Sequence, residues 1–447
     1  MTDPVAESEK FTQPALINQI TQAFETLPDA RSGTGVYQKY PMIDAALSAF
    51  SVFFMQSPSF LAYQRMMQDA KGRNNAQSLF GVHQIPSDNQ IRNLLDPVSP
   101  LALCPLYRQI LQGLEPQRML QPFKVLQGTL LIALDGVAYF SSGKIHCAHC
   151  STKTSACGEI HYSHSAVTPV IVSEHQSSVI PLAPEFVTPQ DGCAKQDYEL
   201  AAAKRWLTRE NTYLPANVTF LGDDLYSKQP FCTQILQLGR HFILVCRPES
   251  HKTLYEWIDD FQRTGQIGVV EKWQRTGKQR QLFRYRFVNG VPLRNSDDAL
   301  MLNWCELEIC SENGKRIYRN AFVTDYALNA DNVEAIAAAG RTRWKIENEN
   351  NNTLKTKGYH FEHNFGHGQK HLAALLASFN ILAYLVHTVL EWFDACYRLL
   401  RQKLAKRKTF FDDLRALTRY MCFDSWQQLM EFMLTAMEIP IPSRGNL

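Results

Sequence analysis

A short apolar run that ends on an acid constrains this chain most. Thr129-Leu130-Leu131-Ile132-Ala133-Leu134 has the composition of a buried strand, and it stops at Asp135-Gly136. Aspartate before glycine is an ordinary turn pair. A carboxylate at the end of a central strand is nevertheless costly to bury unless something cationic pairs with it. Two further stretches set an acid on an apolar element. Phe220-Leu221-Gly222-Asp223-Asp224 is a second run ending in acid, and Arg343-Trp344-Lys345-Ile346-Glu347 is a helical segment carrying a third.

A chain of 447 residues is long enough for two or three domains with a sizeable core. Its net charge is only +3, so a nucleic-acid surface has to come from local clustering of Lys and Arg. The 11 cysteines are odd in number, and the polar, acidic start carries no secretory signal. Both features point to a reducing cytoplasm with thiols free or metal-bound. The one long apolar run, 371–393, contains Asn380, His387 and Glu391 and reads as a buried core helix, not a membrane span.

In chain order, residues 1–30 read as a loose polar start. Residues 31–124 are helical: 42–50 has apolar residues at helix spacing, Pro86-Ser87-Asp88-Asn89-Gln90 followed by Ile91 and Leu94-Leu95 reads as a capped helix start, and Ser99-Pro100 opens another that runs to about 114. Short helices with polar turns suit a small DNA-binding module and suit a plain helical bundle equally. From 125 the periodicity changes. Strands are expected at 127–140, 166–173 and 178–187, a helix at 193–207, a strand at 217–221, a helix at 229–238 and a strand at 241–246. Strand signals dominate 268–325, with Asn313-Gly314 as a hairpin turn. Helices follow at 332–357, 371–407, 410–420 and 425–438, and no internal repeat is present.

Carboxylates from two neighbouring strands and one helix are the donor set of a two-metal phosphoryl-transfer site. Magnesium prefers oxygen ligands, and paired ions clamp the attacking and leaving oxygens of an in-line displacement. On these residues the chain resembles the DDE transposases of bacterial insertion sequences. Arg343-Trp344-Lys345-Ile346-Glu347 is similar to that family's Arg-x-x-x-Glu signature. Gly222-Asp223-Asp224-Leu225-Tyr226 resembles its Asp-x-x-Tyr pattern, and residues 358–368 resemble the segment after the glutamate helix. Two positions depart: the signature's tyrosine is Gly340 here, and its lysine is Leu354, with Lys355 next.

The resemblance implies an α/β fold, a ribonuclease H-like mixed sheet with flanking helices, interrupted by a β-rich insertion. The core would span 125–250, the insertion 251–328 and the glutamate helix with the end of the core 329–392. A helical DNA-binding region at 31–124 and a helical region at 393–447 would flank it. It further implies a transposase that binds terminal inverted repeats, cleaves DNA and joins 3′-OH ends to a target with two Mg2+ or Mn2+ ions. Double-stranded DNA is then the partner, and a homodimer is expected because two ends must be synapsed. The metal-holding catalytic acids would be Asp135, Asp223 and Glu347. Asp223 is chosen over Asp224 because it fits the spacing to Tyr226. Glu347 is chosen over Glu349 because Arg343, Glu347, Asn351 and Leu354 follow one helix face.

Arg343, Lys345, Lys355 and Lys357 around this helix are the expected DNA contacts, and a second basic cluster lies at 398–408. Separately, Cys147-x2-Cys150 with His161-x2-His164 has the ligand spacing of a structural zinc site, with Cys157 or His149 as alternative ligands. Two rivals to the transposase reading remain: a nuclease that cuts without joining, and a non-catalytic, zinc-stabilised DNA-binding protein.

Overall fold

The computed structural model describes residues 9–31, 39–68, 70–191, 195–277 and 279–442. It is a mixed α/β structure built on a long mixed sheet, with a second, smaller sheet beside it.

The buried run forms strand β2 (Thr129–Ala133), preceded by β1 (Lys124–Val125). All of β2 is buried, which explains its unbroken apolar sequence. The expected single strand over 127–140 is two strands. The chain turns at Leu134-Asp135 and enters β3 (Gly136–Ser142), which belongs to the smaller sheet. That sheet also contains β4 (Ser151–Thr154), β5 (Ile160–Val167) and, further on, β8 (Glu185–Phe186). Between β5 and β8 the chain returns to the main sheet as β6 (Val170–Val172) and β7 (Ile180–Pro181). The expected strand at 166–173 is therefore also split, at Thr168-Pro169, because proline cannot donate to a continuous ladder.

Strands β9 (Val218–Gly222) and β10 (His241–Val245) complete the central part. The order there is β7-β6-β2-β9-β10. Both β9 and β10 run parallel to β2, and β6 alone of these five runs against the others. Four long antiparallel strands extend the same sheet: β11 (Gly268–Thr276), β12 (Gln279–Pro292), β13 (Met301–Ser311) and β14 (Arg316–Thr324), with β14 pairing β10. The strand-rich stretch is thus a continuation of the sheet.

Of the helices before the sheet, α1 (Gln13–Glu25) lies in the segment expected to be loose. It instead buries Leu16, Ile17, Ile20 and Phe24. The next five are α2 (Met42–Phe54), α3 (Phe60–Gln68), α4 (Ala70–Phe80), α5 (Asp88–Leu95) and α6 (Cys104–Leu114). Helices α7 (Lys195–Glu210), α8 (Gln229–Gln237) and α9 (Lys252–Arg263) alternate with the later strands. The expected start of α7 at Cys193 lies outside the described residues.

The expected helix over 332–357 breaks. Helix α10 (Val333–Arg341) ends in a turn at Thr342-Arg343, and the chain resumes as a π-turn (Ile346–Asn351) running into α11 (Asn352–Thr356). Likewise 371–407 is not one helix. It is α12 (Leu372–Phe393) followed by α13 (Ala395–Lys403), because Asp394 leaves helical geometry and caps α13 through Tyr397 N. Helices α14 (Arg407–Tyr420) and α15 (Trp426–Ala436) follow.

Helix α12 is the only described helix long and apolar enough to cross a membrane, and 89% of its most apolar window is buried inside the protein. Its polar residues have partners there. Asn380 donates to Tyr359 O at 2.8 Å, and His387 Nδ1 shares a hydrogen bond with Tyr359 Oη at 2.8 Å. Phe24 and Phe50 pack tilted and edge-on against Phe379, and Phe54 packs on Trp426. The N-terminal and C-terminal helices therefore share one aromatic core around α12. That core holds up the α11–α12 connection, which carries part of the site described next.

Candidate acidic site and metal centre

Parallel pairing sets the first two acids side by side. Ala133 pairs Leu221 across β2 and β9, and Leu134 N donates to Leu221 O at 2.8 Å. Asp135 and Asp223 each lie two residues beyond that pair, at the carboxyl ends of adjacent strands, where open α/β sheets place ligands. Asp135 O accepts from Thr168 N at 3.0 Å, so the acid lies where the chain leaves the main sheet and where it re-enters.

The π-turn supplies the third element. Arg343 Nη1 pairs with Glu347 Oε1 at 2.7 Å, and Asn351 Nδ2 donates to Asp135 Oδ2 at 3.0 Å. The Asn351 amide is itself oriented: its Oδ1 accepts from Thr168 Oγ1 at 3.1 Å and from Asn350 Nδ2 at 3.0 Å. Glu347 stays exposed, while Asp135 and Asp223 are half-buried. Burial pushes the Asp135 carboxyl up to about 7. The charges of Glu199, Asp223 and Glu347 push the same way, and Arg343 opposes them.

Asp224 is turned away. It accepts from Arg247 N at 2.7 Å, and from Ser250 Oγ, which pins the 247–251 loop. Asp223 Oδ1 accepts from Leu225 N at 2.9 Å, a local turn that leaves its other oxygen for the site. Glu349 borders the cleft on the other side of the helix, where its carbonyl accepts from Tyr384 Oη at 2.7 Å.

One acid went unread in the sequence. Glu199, on α7, is buried and accepts from Tyr226 Oη at 2.9 Å. Its carboxylate packs so closely on Gly136 that a Cβ there would collide with it. Gly222 plays the same part for the tyrosine, since a Cβ would lie 2.8 Å from the Tyr226 ring. The two glycines beside Asp135 and Asp223 are thus the sequence trace of a glutamate–tyrosine pair packed beneath the acids.

Of the expected DNA contacts, Lys345 is a correction. It is buried, and its ammonium donates to Ser173 O at 2.6 Å and to Gln176 O, bracing the helix against the turn after β6. Lys355 is half-buried and pairs with Glu362 at 2.7 Å. Lys357 is exposed at the edge of a large cleft.

The Cys/His cluster forms a compact centre that could hold a metal ion such as zinc, with one ligand changed. Cys147, Cys150, His164 and His367 bring their donor atoms within 4.8 Å of one another. The Cys147–Cys150 sulfurs are 3.9 Å apart. Nε2 of His164 lies 3.6 and 3.5 Å from the two sulfurs, and Nε2 of His367 lies 3.5 Å from Cys150 Sγ. Cys147 N also points at Cys150 Sγ at 3.4 Å, closing the knuckle.

His161 is not part of the centre; it is exposed beside Glu159. Both histidines lie on β5, and residues three apart on a strand face opposite ways. His367 takes the fourth place from the α11–α12 connection. That connection is fixed by Asp96, whose carboxylate accepts from the backbone N of Gln369, Lys370 and Leu372 at 3.0 to 3.2 Å. Cys157 is exposed, and neither it nor His149 joins the cluster. Burial raises the Cys150 thiol to about 11 and lowers the His164 imidazole to about 4, so a cation bound there has to displace the Cys150 proton and meets a neutral His164.

No protein-family model and no curated protein matches this chain.

Proposed function

We propose that this protein is a DDE transposase with a ribonuclease H-like core. The observation that carries the reading is the convergence of Asp135 and Asp223 at the ends of adjacent parallel strands, with Glu347 close enough for its charge to act on Asp135. The strand order β7-β6-β2-β9-β10 with only β6 reversed supports the ribonuclease H-like assignment, and β11–β14 fit the expected insertion. The departures from the family signature have physical reasons. A side chain at Gly340 would meet Ile243 at 2.7 Å and Phe322 at 2.9 Å, so a tyrosine has no room. The π-turn winds more slowly than an α-helix, by about one residue over its length. Lys355, eight after Glu347, then takes the face that a lysine seven after would occupy, and Leu354 becomes core.

In this reading Asp135, Asp223 and Glu347 would hold two Mg2+ or Mn2+ ions, which supply charge neutralisation at the scissile phosphate and activation of the attacking water or 3′-OH. Asn351 orients the Asp135 carboxylate, Arg343 holds Glu347 toward the site, and Glu199 keeps the site negative from beneath. The test is cleavage and joining of duplexes made from the DNA that flanks the coding region. Wild-type protein is expected to nick and join, and Asp135→Asn, Asp223→Asn and Glu347→Gln to bind without doing either. Hydrolysis that never yields a joined product would favour the nuclease. Binding with no cleavage by wild type would favour the non-catalytic DNA-binding protein.

We also assign zinc to the Cys/His centre. Tetrahedral zinc with bonds of about 2.3 Å to sulfur and about 2.0 Å to nitrogen separates its ligands by about 3.8 Å for two sulfurs and about 3.5 Å for sulfur and nitrogen. The separations here, 3.9, 3.6, 3.5 and 3.5 Å, match that figure. Two thiols and two imidazoles, largely buried and linking separate parts of the chain, suit a structural ion.

A further inference from the structure

The main sheet ends differently on its two sides. One end is β7, two residues long and containing Pro181, and a short edge strand with proline is a poor template for another chain. The other end is β11, whose nine residues pair β12 one to one from Gly268↔Phe287 to Thr276↔Gln279 without a bulge. No described strand pairs its outer side, and no proline interrupts it. The backbone N–H and C=O groups of that side are open to a further strand.

The two faces of β11 are unlike. Even-numbered side chains turn toward α10: Gln274 Nε2 donates to Glu334 Oε1 at 3.0 Å, and Lys272 pairs with the same carboxylate. The odd-numbered ones, Val269, Glu271, Trp273 and Arg275, are all exposed. Val269 is 55% and Trp273 50% exposed, although valine and tryptophan are among the residues that gain most from burial. Within the chain Glu271 pairs with Arg284 at 2.6 Å, and the Arg280 guanidinium lies 5.4 Å from the centre of the Trp273 ring. Arg275 forms no ion pair among the described residues.

An identical strand related by a two-fold axis perpendicular to the sheet runs antiparallel and continues the ladder. Opposed side chains have to share a face, so the axis passes through a residue that opposes its own copy. Three choices of that residue pair seven or more of the nine positions: Glu271, Lys272 and Trp273. On Glu271 two carboxylates meet and on Lys272 two ammonium groups, and like charges directly opposite are destabilising. On Trp273 two indoles meet, and Glu271 opposes Arg275 of the second copy twice by symmetry. We propose that β11 is an interface for a second copy of this chain, joined antiparallel with Trp273 on the two-fold axis, so that the two main sheets become one. The occupant follows from self-complementarity. An acid and a base stand two residues to either side of an exposed aromatic, and the same strand run backwards presents their complement in the same order. The pairing does not rest on the transposase reading, which calls for a dimer without naming a surface.

The test is analytical sedimentation of full-length, zinc-loaded protein over a concentration series, without DNA. Wild type should dimerise. Arg275→Glu sets carboxylates against each other at two symmetric places and should raise the dimer dissociation constant more than about tenfold. Glu271→Arg/Arg275→Glu reverses both charges, restores the opposite pairs and should return the constant to within about threefold of wild type. Both variants change exposed side chains and should melt close to wild type. Cysteine reads the register. In a Cys157→Ser/Cys422→Ser background, which removes the exposed native thiols, Trp273→Cys should crosslink into dimers under mild oxidation, because its thiol faces its own copy. Glu271→Cys and Lys272→Cys should not. A wild type that stays monomeric at every concentration, a dimer indifferent to Arg275→Glu, or crosslinking through Glu271→Cys or Lys272→Cys in place of Trp273→Cys would overturn the proposal. If the dimer forms as described and the protein never cleaves DNA, the transposase reading fails and the pairing stands.

Discussion

Asp135→Asn should stabilise the protein in the absence of magnesium, and only above acidic pH. The native carboxyl is held up at about 7, first by burial and then by its acidic neighbours. An unfolded aspartate titrates near 3.9. Between those values the folded chain holds a proton that the unfolded chain has released, so stability falls as pH rises through the window and is level above it. At about 1.36 kcal/mol per unit, the difference of about 3 units costs roughly 4 kcal/mol at pH 8. Asparagine has no charge to desolvate and can still accept the bond that Asn351 donates at 3.0 Å. With an unfolding entropy of about 2.1 cal/mol/K per residue, a chain of 447 residues should melt about 4–5 °C higher as the variant if it unfolds as one unit.

The assay is thermal unfolding of wild type and Asp135→Asn from pH 4 to 8, in buffer without magnesium or manganese and with zinc left in place. The two should coincide near pH 4 and separate as pH rises. If the proposed site is right, adding Mg2+ or Mn2+ at pH 8 should raise the wild-type midpoint and leave the variant unmoved, because the ion would bind the charged carboxylate. A variant that melts at or below wild type at pH 8, or a gap that does not change with pH, would refute the reasoning.

The metal centre gives a direct contrast: His367→Ala should weaken zinc binding more than about a hundredfold in a chelator competition, while His161→Ala should keep a full equivalent. Lys345→Met should destabilise the fold by about 1–3 kcal/mol in denaturant titrations, because it leaves the carbonyls of Ser173 and Gln176 unpaired, yet leave the salt slope of DNA binding alone. On the π-turn helix, Glu347→Gln should abolish DNA cleavage and Glu349→Gln should keep it; the opposite result would mean that the wrong glutamate has been assigned.

The apolar runs over β2, β9, β10 and α12 were legible because each is buried on all sides, which leaves an unbroken apolar stretch in the sequence. The breaks were not. Periodicity carries no mark of the sheet change at Leu134-Asp135, where the apolar character runs on into β3 while the hydrogen-bond partners change. Helix α1 was missed because its apolar residues are diluted by Gln, Asn and Thr, although Leu16, Ile20 and Phe24 keep helical spacing and are fully buried. Lys345 looked like a DNA contact because basic neighbours flank it, and nothing local says that its ammonium reaches two carbonyls of another segment. His367 was out of reach for a similar reason. Ligand spacing in sequence finds knuckles such as Cys147-x2-Cys150, whereas the fourth ligand lies 217 residues from Cys150.

The acidic site and the Cys/His centre are linked through the same two connections. The chain leaves the main sheet at Asp135, carries Cys147, Cys150 and His164 through the smaller sheet, and returns at Thr168, which donates both to Asp135 O and to Asn351. The helix bearing Glu347 and Asn351 then leads into the connection that ends on His367. An ion bound by these four ligands therefore joins the smaller sheet, which begins at one acid, to the segment that follows the helix bearing another. The Asp135–Asn351 bond closes the remaining side of the loop. On this geometry an ion bound there would limit how far the π-turn helix can move from the sheet ends, so chelation should loosen the acidic site before the aromatic core around α12 gives way.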